Sequence, residues 1–93
     1  MTEIRAEVIV SGRVQGVWFR QSTYNIATKL GLTGWCRNNP DGTVSAVFEG
    51  EESAVKTALE WCKNGPELAR VDQVQVKLAP ATNEFEKFDI QAS

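Results

Sequence analysis

Two stretches of helical periodicity, each apolar on one side only, lie between runs that alternate like strands. Gln21 to Leu30 sets Tyr24, Ala27 and Leu30 at helical spacing, and Ile26 broadens that face before Gly31 stops it. Glu51 to Lys63 carries acidic residues in its first turn and gathers Ala54, Val55, Ala58, Leu59 and Cys62 on one side. Such helices cannot bury their apolar stripes against each other alone; they need a sheet. Five strand-like runs supply one: Ile4 to Val10, Thr33 to Asn38, Thr43 to Glu49, Val71 to Leu78, and a short last run at Phe88 and Ile90. Asn39-Pro40-Asp41-Gly42 joins the second and third runs as a hairpin turn, whereas Gly50 reads as the end of the third.

The order β-α-β-β-α-β with a short extra terminal strand specifies an α+β fold. It is the ferredoxin-like sandwich, an antiparallel sheet with both helices on one face and Ile4–Val10 and Thr43–Glu49 as its central strands. Residues 1–93 suffice for one core but not two, so a single domain is expected. The chain is 42% hydrophobic and 24% charged, which is globular composition, and no linker or repeat interrupts it. Its net charge of −2 argues against a general nucleic-acid or anionic-membrane partner. No apolar run approaches the roughly 20 residues that span a bilayer. The start, Met1-Thr2-Glu3-Ile4-Arg5-Ala6-Glu7, alternates instead of forming a signal-peptide core. A cytoplasmic protein is expected.

The first strand runs into Ser11-Gly12-Arg13-Val14-Gln15-Gly16-Val17-Trp18-Phe19-Arg20, with helical sequence beyond the arginine. A strand-to-helix loop leaves backbone N–H groups without partners at the positive end of the helix dipole. Gly12 and Gly16 can take positive φ and let an anion approach without meeting a Cβ, and Arg20 offers a planar charged fork for two oxygens. The same glycines equally mark an ordinary turn. The spacing is neither the dinucleotide fingerprint nor a P-loop.

The chain has no histidine, which removes the commonest general base and metal ligand. Its two cysteines, Cys36 and Cys62, are too few and too far apart for zinc. Both fall on inward positions, where a small buried hydrophobe is expected more than a disulfide. No metal or cofactor is expected, and any chemistry rests on positioning and electrostatics.

Gly12–Arg20 together with Gly34-Trp35-Cys36-Arg37-Asn38-Asn39-Pro40-Asp41-Gly42-Thr43-Val44 strongly resembles the acylphosphatase family. Gly31-Leu32-Thr33-Gly34, Phe48-Glu49-Gly50, Ala69-Arg70-Val71-Asp72 and Phe88-Asp89-Ile90 extend the resemblance over nearly the whole chain. The ending Gln91-Ala92-Ser93 departs from the basic or aromatic tail common in that family. The resemblance implies hydrolysis of the carboxyl–phosphate bond of small acyl phosphates without metal or covalent intermediate. It implies that the backbone of Arg13, Val14, Gln15, Gly16, Val17, Trp18 and Phe19 cradles the phosphoryl group. Arg20 then binds phosphate, and Asn38 positions the attacking water.

Asn39 reads as a turn former, and so does Asp41, the nearest carboxylate; Trp18 and Phe19 read as loop or core packing. With no side-chain base in view, a substrate phosphate oxygen is the expected acceptor of the water proton. The same fold also serves as an RNA platform or ligand-regulatory domain, and the acylphosphatase pattern also occurs as a cradle within larger enzymes. An RNA platform calls for exposed aromatics on the central strands, which offer only Phe48, and a basic face, whereas the pI is near 5.1. The chain length favours a free-standing monomeric enzyme acting on a small-molecule acyl phosphate, with neither nucleic acid nor membrane as partner.

Overall fold

A computed structural model describes residues 2–91. Its elements are β1 (Glu3–Arg13), α1 (Phe19–Lys29), β2 (Thr33–Asn38), β3 (Val44–Glu51), α2 (Glu52–Cys62), β4 (Arg70–Pro80) and β5 (Phe88–Ile90). They build one sheet in the order β4-β1-β3-β2-β5. Every neighbouring pair is antiparallel except β2 and β5, which are parallel. This is the ferredoxin-like arrangement, with β1 and β3 central as the sequence pattern requires.

Alternation decides which face is covered. Ala6, Val8 and Val10 of β1 lie across from Phe48, Ala46 and Val44 of β3, and all six are buried. Val55, Ala58 and Cys62 of α2 close over them. Phe48 stacks on Phe88 with ring centroids 5.6 Å apart, so the one central-strand aromatic is core and not an exposed platform. Each fully buried Val or Phe contributes about 1.5–3 kcal/mol relative to exposure.

Helix α1 differs from expectation in start and in face. It begins at Phe19, two residues before Gln21, because the Ser22 N–H already bonds the Trp18 carbonyl at 3.0 Å. Its buried stripe is Phe19, Thr23 and Ala27, while Tyr24 is exposed and Ile26 and Leu30 are half-buried. Thr23 disguises the stripe because it is polar. Its hydroxyl satisfies itself by donating to the Phe19 carbonyl at 2.7 Å.

Strand β1 runs on to Arg13, which pairs with Arg70 after a register shift at Ser11 and Gly12. Gly12 has φ 124°, and a Cβ there would sit 2.2 Å from the Arg70 carbonyl oxygen. Close approach of β4 therefore demands this glycine, and anion access does not. Strand β3 likewise continues through Gly50 instead of ending there.

On the sheet face away from the helices, Glu49 is only 3% exposed. Its Oε2 accepts from Arg5 at 3.2 Å, from the Thr82 N–H at 2.9 Å and from the Thr82 hydroxyl at 2.8 Å. Its Oε1 accepts from the Asn83 N–H at 3.0 Å. Burial pushes the Glu49 pKa up, but these donors outweigh it and hold the carboxyl below its usual value.

Because β1 and β2 both run antiparallel to β3, and β5 runs parallel to β2, three strands share one direction. Their carboxyl ends converge where α1 begins. That edge carries the cleft described next.

Candidate active site

The chain leaves β1 at Arg13 and turns through residues 14–18 into α1. Three side chains pin this loop. Val14 and Val17 are buried in the core. The Gln15 amide donates to the carbonyls of Asn39 at 2.8 Å and Thr43 at 2.9 Å, tying the loop to the β2–β3 turn. Between the pins, Gly16 has φ 74° and Trp18 has φ 66°, so the loop reverses its curvature twice. A Cβ at Gly16 would meet no atom within 4 Å; its conformation, not crowding, calls for glycine. Helix α1 has no side-chain cap and no acidic residue in its first turn. Its leading N–H groups therefore lack intrahelical partners next to the helix's positive pole.

The loop and three elements enclose a cleft of about 430 Å3. Val14, Gly16, Trp18 and Phe19 line it from the loop and the first helical position, Arg20 and Gln21 from α1, Asn38 from the end of β2 and Ile90 from the end of β5. Arg20 is half-buried and stands second in the helix, where a cation opposes the dipole. Its Nη1 reaches the Gln91 carbonyl only at 3.4 Å, and among the described residues no carboxylate pairs with it. Asn38 presents an Oδ1 that is buried and has no hydrogen-bond partner among the described residues. Leaving such a group unsatisfied costs about 1–3 kcal/mol, so it favours a donor bound in the cleft.

Its neighbours are engaged otherwise. Asn39 donates to the Thr43 hydroxyl at 2.9 Å and the Ser45 hydroxyl at 2.7 Å, as a turn former does. Asp41 accepts from the Thr43 N–H at 3.0 Å and hydroxyl at 2.6 Å, and these bonds hold its carboxyl below the usual range. It is turn structure and does not line the cleft.

Of the residues singled out in the sequence, Val14, Gly16, Trp18, Phe19, Arg20 and Asn38 come together at the cleft. Arg13, Gln15 and Val17 do not line it. Arg13 closes β1, the Gln15 amide serves the hairpin, and Val17 fills the core. Trp18 and Phe19 also part ways: Phe19 is buried against Trp61 at 5.3 Å, whereas Trp18 is 74% exposed. Gln21 and Ile90 were not read from the sequence. The signal for Ile90 was its alternation with Phe88, which puts both on the helix side of β5.

Cys36 lies behind the site, its thiol donating to the Arg20 carbonyl at 3.7 Å. Burial pushes that thiol up to about 12 against the lowering effect of the Arg20 charge, and burial likewise pushes Cys62 up to about 12. Both are free thiols. Among the described residues no group of three His, Cys, Asp or Glu side chains could hold a metal, and no helix is long and apolar enough to cross a membrane. The wall offers a cation, unpaired amides and one free amide oxygen, but no activated nucleophile and no strong base. This arrangement suits an anion that reacts with an oriented water.

The family model for acylphosphatase matches residues 6–90. An acylphosphatase of Pelotomaculum thermopropionicum is 50% identical over 90 residues, covering 97% of this chain and 98% of that one. An acylphosphatase of Marinobacter nauticus is 53% identical over 88 residues, covering 95% and 96%. The crystal structure of acylphosphatase from Bacillus subtilis superposes with a TM-score of 0.91 at 35% identity, covering 95% of this chain and 98% of that one.

Proposed function

Because this chain belongs to the acylphosphatase family and is an acylphosphatase enzyme, we propose that it hydrolyses small acyl phosphates by in-line attack of a positioned water, without a metal. The observation that carries this reading is the unpartnered Asn38 Oδ1 in the same cleft as the carboxylate-free Arg20. In the proposed complex, backbone amides of the loop from Arg13 to Phe19 cradle the phosphoryl oxygens. Arg20 binds two of those oxygens with its fork. Asn38 Oδ1 accepts a hydrogen bond from a water and aims it at phosphorus opposite the carboxylate leaving group.

Phosphoryl transfer through a loose transition state needs alignment and charge stabilisation more than a strong base. The P–O bond to the carboxylate breaks as the water oxygen bonds to phosphorus. A phosphoryl oxygen takes the water proton, and carboxylate and inorganic phosphate leave. Metal independence draws support from the missing histidines and from two thiols held protonated by burial. The reading extends to one domain over residues 1–93, acting as a monomer in the cytosol. The two unpaired buried cysteines support the cytosolic part of it. Release of phosphate from acetyl phosphate should persist in excess chelator and should be inhibited competitively by inorganic phosphate. Activity that vanished with chelator and returned with magnesium would contradict the proposal.

A further inference from the structure

The side chains of Trp18 and Ile90 have no role in the chemistry above, yet both residues line the cleft and expose apolar surface to water. Trp18 is 74% exposed and Ile90 is 39% exposed. Trp18 also holds a left-handed backbone, φ 66° and ψ 22°, at the cap of α1. That region is strained for a bulky residue, and glycine adopts it without penalty. The flanking Val17 and Phe19 are buried and account for the turn itself. They do not account for the indole. Its side chain makes no capping hydrogen bond, and among the described residues no aromatic ring or cation stacks on it. A strained, uncovered tryptophan therefore lines the same cleft as Arg20 and Asn38.

Ile90 adds a second apolar side chain to the cleft. Ile90 pairs in register with Cys36, two residues before Asn38 on β2, and shares the helix-side face of the sheet. The cleft, at about 430 Å3, greatly exceeds a phosphoryl group, which has the bulk of a few waters of about 30 Å3 each. Among the described residues Arg20 is the only charged side chain on its walls.

We propose that the Trp18 indole and the Ile90 side chain form the acyl subsite and make the enzyme select acyl phosphates whose acyl group is uncharged and apolar, aromatic acyl groups best. The inference rests on the phosphoryl group occupying the loop and Arg20. The acyl carbon is then only one bridging oxygen from phosphorus, so the rest of the acyl group must lie along the adjoining wall. An aromatic ring gains offset or edge contacts with the indole. A distal carboxylate finds no cation on the cleft wall among the described residues besides Arg20, which the phosphoryl group already engages.

The test compares kcat/KM for benzoyl, acetyl and succinyl phosphate in the wild type, Trp18→Gly and Ile90→Ser. Glycine suits the φ at position 18, and the ratio between substrates removes any general loss of activity. Benzoyl phosphate should be preferred over acetyl and succinyl phosphate in the wild type. The benzoyl-to-acetyl ratio should fall about tenfold in Trp18→Gly and about threefold in Ile90→Ser, with the inhibition constant for inorganic phosphate within twofold in Ile90→Ser. Ratios that stay at the wild-type value in both variants would overturn the acyl subsite while leaving the phosphoryl site standing. A wild type that hydrolysed none of the three and was not inhibited by phosphate would instead overturn the reading on which the subsite rests.

Discussion

Asn38 and Glu49 each bury a side-chain oxygen against one sheet, with opposite surroundings. Glu49 accepts four hydrogen bonds, from Arg5, Thr82 and Asn83, and so staples the segment after β4 to β1 and β3. Asn38 Oδ1 accepts none among the described residues. Burial alone does not separate a structural polar group from a functional one; the partners do. A satisfied buried carboxylate stabilises the fold, and its removal leaves several donors stranded. An unsatisfied buried amide oxygen destabilises the free protein and is reconciled only when a donor arrives. The two cations divide in the same way. Arg5 is bound by Glu7, Glu49 and Glu84, while Arg20 pairs with no carboxylate among the described residues.

Substitution at the open pole should give the largest effect on activity. Arg20→Lys keeps a charge but loses the fork that would make two charge-assisted bonds, each about 1.5–3 kcal/mol. We expect kcat/KM for acetyl phosphate to fall about 100-fold or more with an unchanged circular dichroism spectrum. Near-normal kinetics would reduce Arg20 to a surface residue and dissolve the contrast with Arg5.

Glu49→Ala should act on stability in place of activity. It strands the two N–H donors of Thr82 and Asn83 and leaves Arg5 to its exposed partners, at a cost of about 2–4 kcal/mol in chemical denaturation. Turnover at a temperature where the variant is folded should stay within about twofold of wild type. The effect carries a pH signature. Because the folded pKa of Glu49 is lowered, its contribution is complete above the unfolded value of about 4.3 and is lost as pH falls through the folded one. The stability gap between wild type and Glu49→Gln should therefore narrow on acidification below that value. A gap constant from pH 7 to pH 3 would mean the charge contributes nothing.

Asp41→Ala should change least. It removes the two bonds to Thr43 in an exposed, solvent-screened turn, so stability should barely change and the rate should fall by less than about threefold. A hundredfold loss of rate would identify Asp41 as the missing base.

The strand order and α2 were legible because their alternation and spacing follow burial on one face. Helix α1 was less so: Thr23, a polar residue, occupies the centre of its buried stripe, and the pairing of Arg13 with Arg70 carries β1 beyond its apolar run. Gly12 was read as open to an anion because crowding by the β4 backbone, 58 residues downstream at Arg70, has no local signal. The loop and Arg20 were readable as a strand-to-helix anion site that an ordinary turn equally explains, and Asn38 only through a family pattern; the cleft that gathers them has no trace in local spacing. Ile90 was legible as a strand residue through its alternation with Phe88, but not as part of the cleft. Of the atypical ending, only Gln91 lies within the described residues, where its carbonyl faces Arg20 and its N–H bonds the Cys36 carbonyl at 2.8 Å. Ala92 and Ser93 lie outside them.

The central claim is that Asn38 holds the attacking water and leaves phosphate binding to the loop and Arg20. Asn38→Ala tests it in one variant, with kcat on acetyl phosphate and the Kd of inorganic phosphate by calorimetry measured side by side on folded protein. The account predicts a kcat lower by about 100-fold or more, a Kd within twofold of wild type, and a thermal midpoint unchanged or higher, because an unpaired buried oxygen has been removed. Wild-type kcat would contradict the water-positioning role, and loss of phosphate binding would move Asn38 into the cradle.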